Sequence, residues 1–169
     1  IHGKDLLPRV LELSTDLVKK AIAKILNIET SESPPTKINT KLPRRPPVLC
    51  PGCPHRATYY SIKMALRREK IDPANVIFPT DIGCYTLGIN PPFSMGDILL
   101  CMGSSAGTSN GLSKTTTQPV IAFIGDSTFY HAGIPPLINA VFNKHNFILV
   151  VLDNTITAMT GFQANPSSG

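Results

Sequence analysis

VIAFIGDSTFYHAGIPPLINAVFNKHNFILVVLDNTITAMTG, residues Val120 to Gly161, reads as strand, tight loop, helix, strand, tight loop. Val120 to Ile124 are apolar without a polar break, as in a strand buried on both faces. Gly125-Asp126-Ser127 then makes a sharp turn that sets a carboxylate at the strand's carboxyl end. A helix is predicted from about Pro135 to Lys144, because proline suits a helix's first turn and Lys144 and His145 suit its negative pole. A second buried strand, Phe147 to Leu152, delivers Asp153-Asn154. Such a βαβ unit makes its strands parallel neighbours with both loops on one edge, where open α/β sheets bind ligands.

Asp126 and Asn154 lie 28 positions apart and offer two hard oxygen ligands from adjacent strand ends. Mg²⁺ takes about six oxygens and usually keeps substrate phosphates among them. A carboxylate, an amide oxygen, a backbone carbonyl and a diphosphate would fill such a shell. The plainer alternative has Asp126 capping a loop and Asn154 making an Asx-turn.

GDS followed at this distance by DN, across one βαβ unit, resembles the diphosphate-binding motif of thiamine diphosphate enzymes. CPGCPHR (Cys50 to Arg56), DIGCYTLG (Asp81 to Gly88) and DNTITAMTG (Asp153 to Gly161) narrow the likeness to the 2-oxoacid:ferredoxin oxidoreductases, and within them to the indolepyruvate branch. The resemblance runs from about Pro46 to Gly169, with four motifs in order. Ser127 stands where the wider family has glycine.

The composition fits a globular domain: 169 residues, 42% hydrophobic and 16% charged, with no apolar run near the length of a membrane helix. A net charge of +5 raises the possibility of nucleic acid. However, seven of the sixteen basic residues fall between Lys4 and Lys41 without interleaved aromatics, the pattern of a solvated surface with a mild bias to anions. No nucleic-acid or membrane partner is expected. The chain begins at Ile1 and carries no signal-peptide pattern, so it reads as a cytoplasmic piece of a longer protein.

Leu6 to Leu26 has helical apolar spacing, with a possible break near Ser14, where Ser14 or Thr15 can cap the second part. Asn27 to Pro47 is proline-rich and aperiodic, a linker. The expected organisation is therefore residues 1–47, helix plus linker from a preceding domain, and residues 48–169, a C-terminally incomplete thiamine diphosphate-binding domain. Its fold class is α/β, an open, mostly parallel sheet with helices on both faces.

Pro54 opens a predicted helix to about Glu69, so Cys50, Cys53 and His55 sit at a helix N-terminus. A disulfide is disfavoured in a chain of cytosolic character, and zinc would want a second CxxC or two suitably spaced histidines. An iron–sulfur site takes thiolates, usually four. Cys84 follows Cys53 by 31 residues, a spacing that resembles the cluster-binding subunit of related enzymes. Cys101 ends an apolar run and reads as a small buried residue. Val76 to Phe78 and Ile98 to Cys101 are further short strands. The small residues from Gly103 to Gly111 suit either a helix packed tightly on the sheet or free backbone N–H groups for an anion.

The resemblance implies oxidative decarboxylation of an aryl 2-oxoacid to an acyl-CoA, with ferredoxin as electron acceptor. It implies Mg²⁺ held by Asp126, Asn154 and the Ile156 carbonyl. It implies thiamine diphosphate contacts from Gly52, Cys53, Gly83, Cys84, Met102, Gly103, Ser104, Gly125, Ser127, Thr128, Thr160 and Gly161. His55 would stand near the reacting thiazolium end, though it also suits a plain hydrogen-bonding role at the helix start. Cys50, Cys53 and Cys84 would be candidate ligands of a 4Fe–4S cluster. Thiamine enzymes of this kind use a glutamate against the aminopyrimidine. Glu12, Glu29, Glu32 and Glu69 lie in none of the site loops, so that residue is expected from a different domain outside this chain; the expected partners are other domains of the subunit and a second, smaller subunit. The rival readings are a non-redox thiamine decarboxylase or carboligase, which has no need of these cysteines, and a non-catalytic metal- or nucleotide-binding module.

Overall fold

A computed structural model describes residues 3–10, 12–30, 43 and 46–169. The chain divides into two compact units, Ile1–Arg44 and Arg45–Gly169. The predicted linker lies largely outside the described residues, at 31–42, 44 and 45.

In the first unit, helix α1 spans Thr15–Leu26. Ser14 caps it, its hydroxyl accepting from the Leu17 N–H at 3.3 Å, and Asn27 closes it in the left-handed region. The expected helix before Ser14 is absent among the described residues. Leu17, Val18, Ile22, Ile25 and Leu26 form an exposed apolar stripe, while Ala21 and Ala23 are buried.

The second unit is organised on β1, Ile121–Gly125, which is buried throughout. It pairs in parallel with β2, Ile148–Leu152, in the register Ile121 to Ile148 through Gly125 to Leu152. Single parallel bridges extend the arrangement from Ile77 to Val120 and from Pro79 to Ile98. The chain segments therefore run in the order 98, 77–79, β1, β2, all parallel, although the two outlying predicted strands shrink to bridges. β2 departs from expectation: Ile148 and Val151 are exposed, so it is a half-covered edge and not a strand buried on both faces. An apolar run reports hydrophobicity, not whether a neighbour covers it.

Helix α2, Pro54–Arg68, lays Tyr59 and Leu66 into the core. The Tyr59 ring sits 4.8 Å from Phe123 of β1, and its hydroxyl donates to the Tyr85 carbonyl at 2.7 Å. Helix α3, Ser104–Thr115, buries a polar stripe, Ser105, Ser109 and Asn110, together with Ala106. Asn110 is satisfied on every side: its amide donates to the Ala106 and Pro136 carbonyls, and its oxygen accepts from Asn139. His145 Nδ1 lies 2.6 Å from that same oxygen and so carries its proton there.

The chain after Gly125 coils at once, where a loop was expected. Asp126–Thr128 is a helical turn, Phe129–Gly133 a π turn, and α4 follows as Ile134–Phe142, ending two residues earlier than predicted. The tandem Pro135-Pro136 falls in α4's first turn, where missing N–H groups do no harm.

Candidate active site

The carboxyl ends of β1 and β2 open into one pocket. His55, Gly83, Cys84, Met102, Gly125, Asp126, Ser127, Thr128, Asn154 and Ile156 all line it, ten of the residues expected at the site, joined by Tyr85 and the 157–159 turn. They come from five separate stretches of chain. Gly52, Cys50, Cys53, Gly103, Ser104, Thr160 and Gly161 do not line it. Thr160 and Gly161 instead build a neighbouring turn, in which the Thr160 hydroxyl bonds Gln163 Oε1 at 2.7 Å and Gly161 takes a φ of 121°.

Asp126 is buried, 4% exposed. Burial alone would raise its pKa, but the Ser127 N–H, the Asn165 amide and the Ser167 hydroxyl outweigh this and hold the carboxyl below its ordinary range. It is therefore an anion in the apolar throat of the pocket, with the Asp153 carboxyl as a further hydrogen-bond partner. Asn154 faces the same space from β2, and its side-chain oxygen is only loosely engaged, 3.4 Å from the Ile156 N–H. A buried carboxylate, a loosely held amide oxygen and the Ile156 segment make a hard-oxygen donor set that suits Mg²⁺.

Tyr85 roofs the strand end. A Cβ on Gly125 would come within 2.7 Å of its ring, so only glycine lets β1 finish beneath it. His55, in the first turn of α2, meets Tyr85 edge-on at 6.0 Å. The imidazole is buried, and desolvation lowers its pKa from the ordinary 6.5 against the opposing pull of Asp126. His55 is thus neutral near pH 7. The sign of the linkage follows: because the folded pKa is depressed, its contribution to stability is present above pH 6.5 and is lost as pH falls through the lowered value. A titration of the His55 ring protons by NMR is expected to give a midpoint below 6.5, and one at or above it would contradict the burial described here.

The start of α3 departs most from the sequence reading. Asp81, fully buried, takes its N-terminus: Oδ1 accepts the Ser105 N–H at 3.1 Å, and Oδ2 accepts the Ser105 hydroxyl at 2.6 Å. The Ser104 hydroxyl adds a third bond at 3.3 Å, and the Thr86 hydroxyl donates to the Asp81 carbonyl. The chain's own carboxylate is thus the anion of this helix end. Gly107 and Gly111 are not needed for close packing either, since a Cβ at either would meet open space. Gly103 is different: at φ 88° it would set a Cβ 2.5 Å from that of Ala132. By bonding both segments, Asp81 fixes the Gly83–Tyr85 wall of the pocket relative to Met102.

Burial pushes the Cys84 thiol up, and the neighbouring Cys53 and Cys50 add to that. Nevertheless, among the described residues no group of three or more His, Cys, Asp or Glu side chains is placed to hold a metal ion. Cys101 is exposed, not buried.

Residues 81–169 match the family model described as "Thiamine pyrophosphate enzyme, C-terminal TPP binding domain". The chain belongs to that family. The motifs from Asp81 onward fall within the matched residues, whose strand ends carry the pocket, while Cys50 to Arg56 lies before them. Relatives named indolepyruvate oxidoreductase subunit IorA are 55% identical over 168 residues in Methanothermobacter marburgensis and 49% over 177 in Archaeoglobus fulgidus. In Pyrococcus horikoshii the figure is 44% over 189 residues. These alignments cover 98%, 100% and 100% of this chain but 27%, 28% and 28% of the relatives, so the chain spans about a quarter of their length. Among solved structures, a 2-oxoglutarate:ferredoxin oxidoreductase from Magnetococcus marinus with 2-oxoglutarate, coenzyme A and succinyl-CoA bound shares the fold. The TM-score is 0.63 at 22% identity, over 73% of this chain and 43% of that one.

Three features of the pocket were missed in the sequence: the Asp81 cap, the Tyr85 roof, and the Asn165 and Ser167 contacts to Asp126. Asn165-Pro166-Ser167 is a recognisable Asx-turn pattern, but nothing local points across 39 residues to its target.

Proposed function

We propose that this chain is the thiamine diphosphate- and Mg²⁺-binding part of a cytoplasmic oxidoreductase that converts an aryl 2-oxoacid of the indolepyruvate type to an acyl-CoA. The carboxylate leaves as carbon dioxide and the electron pair passes to ferredoxin. The observation that carries this reading is the convergence of Asp126, Asn154 and Ile156 on one pocket at adjacent strand ends. The names of the relatives supply the substrate class.

Asp126, the Asn154 side-chain oxygen and the Ile156 carbonyl would hold Mg²⁺ and, through it, the diphosphate. Gly125, Ser127 and Thr128, in the turn after β1, present donors to the phosphates. Met102, Gly83, Cys84 and His55 would line the reacting end, where a neutral imidazole could accept a proton or donate one hydrogen bond. When bound, thiamine diphosphate supplies the carbanion chemistry of decarboxylation. Glu69 lines no part of the pocket, and Glu32 is outside the described residues. We assign the glutamate for the aminopyrimidine to another domain or to a second, smaller subunit. Residues 48–169 form the cofactor domain, and 1–47 lead into it. Cys50, Cys53 and Cys84 do not fit a 4Fe–4S cluster as placed, and the reading stands without one.

The test is carbon dioxide release from indolepyruvate by the full-length subunit with its partner subunit, thiamine diphosphate and Mg²⁺. Turnover is expected to need both coenzyme A and an electron acceptor, and residues 1–169 alone are expected to give none. Release that ignores both additions and yields an aldehyde would instead establish a non-redox decarboxylase.

A further inference from the structure

The turn after the last motif reaches back to the carboxylate at the centre of the pocket. An antiparallel bridge between Thr157 and Gln163 reverses the chain, and Gln163 locks the reversal by donating to the Thr160 carbonyl at 2.8 Å. Two residues later, Asn165 Nδ2 donates to Asp126 Oδ2 at 3.1 Å, and the Ser167 hydroxyl donates to the same oxygen at 2.9 Å. The network fixes the orientation of the Asn165 amide. Asn165 Oδ1 accepts the Ser167 N–H at 2.8 Å, which turns its amide nitrogen to the carboxylate. The Ser167 hydroxyl also lies 2.7 Å from Asn165 Oδ1, but its one proton goes to the charged acceptor. The Ser168 hydroxyl then ties the turn to the Thr155 carbonyl, beside Asn154.

A carboxylate has about four acceptor sites. Two on Oδ2 are taken by Asn165 and Ser167, and one on Oδ1 by the Ser127 N–H at 2.8 Å. These three bonds leave Oδ1 the less occupied oxygen. We infer that Asn165 and Ser167 are positioning residues: they clamp Asp126 so that it meets the divalent cation through Oδ1 alone. Metal-ligating carboxylates are commonly oriented by such outer contacts. The two residues touch neither cation nor substrate; they act through Asp126. The Asp153 carboxyl, exposed and accepting the Thr155 N–H at 2.8 Å, is a further hydrogen-bond partner of Asp126 from the β2 side, whereas Asn165 and Ser167 hold Oδ2 from the following turn.

This inference rests on the proposed role of Asp126 as a metal ligand, and the experiment separates the two. Asn165→Ala, Ser167→Ala, Ser167→Thr and Asp126→Ala are made in the full-length subunit. Mn²⁺ affinity is then measured by electron paramagnetic resonance in the presence of thiamine diphosphate, alongside the melting temperature without metal. Each alanine variant of the turn is expected to weaken Mn²⁺ binding roughly 10-fold or more. The metal-free melting temperature should stay near wild type, because both residues are only half-buried. Ser167→Thr, which keeps the hydroxyl, should restore affinity. If Asp126→Ala removes Mn²⁺ binding while Asn165→Ala and Ser167→Ala bind as tightly as wild type, the clamp is wrong and the metal site stands. Tighter binding by those two variants would show the turn to be a competitor for the site and would overturn the clamp equally. If Asp126→Ala itself binds Mn²⁺ normally, the metal assignment fails and the clamp with it.

Discussion

Alanine at Asp126 is expected to abolish Mg²⁺-dependent thiamine diphosphate binding by the full-length subunit while leaving it folded. The carboxylate is the only charged member of the proposed donor set, and a hard dication bound through neutral oxygens alone has little to offset its dehydration. The loss should exceed the roughly 10–100-fold typical of removing an outer partner of a metal ligand. The fold should survive because the partners left behind, the Ser127 N–H, Asn165 and Ser167, are half-buried at a pocket that water can enter. Rewetting them costs about 1–2 kcal/mol, the scale of ordinary hydrogen bonds. Asn154→Ala should act in the same direction and more weakly, since it removes a neutral ligand. Calorimetric titration of the cofactor with Mg²⁺ present checks both, and near-normal affinity in Asp126→Ala would sink the assignment.

Asp81→Ala is expected to damage stability far more. Three donors, the Ser105 N–H and the Ser104 and Ser105 hydroxyls, lose their acceptor, and Ser105 is buried where water does not replace it. Buried unsatisfied groups cost about 1–3 kcal/mol each, so the total is about 3 kcal/mol or more. For a domain of this size that corresponds to a fall of about 10 °C in melting temperature. Asp81→Asn keeps one acceptor oxygen and should lose about half as much. Thermal unfolding followed by circular dichroism reads the difference, and a loss under about 1 kcal/mol would mean that α3 does not depend on this cap.

These two residues also mark what placement sequence reasoning reached and where it stopped. Asp126 was legible because strand, turn and helix follow one another in a single local run, and the Asp126–Asn154 pairing is then forced by the parallel βαβ connection. Asp81 was quoted within a motif, yet its role was invisible. Its partners, Ser104 and Ser105, lie more than twenty residues on, and side-chain-to-helix capping across such a gap leaves no periodic signal. Proline at the start of α2 announced that helix within a residue of its observed end, as local signals do. The region before Ser14 had helical spacing but no cap of its own, and spacing alone does not overcome the cost of nucleation. Burial was the least legible quantity. The apolar runs of β1 and β2 look alike in sequence, and only the presence of the 77–79 segment beside β1 separates a core strand from an edge.

That edge bears on how the molecule behaves in the test tube. Beyond β2, no further strand is paired among the described residues, so a row of backbone donors and acceptors lies open beside Ile148 and Val151. Val141 and Phe142, on the helix that feeds this strand, are 72% and 83% exposed. A bare parallel edge flanked by oily side chains invites a second copy to dock strand to strand. Produced by itself, this segment is expected to self-associate along that edge, which light scattering of the purified protein would read.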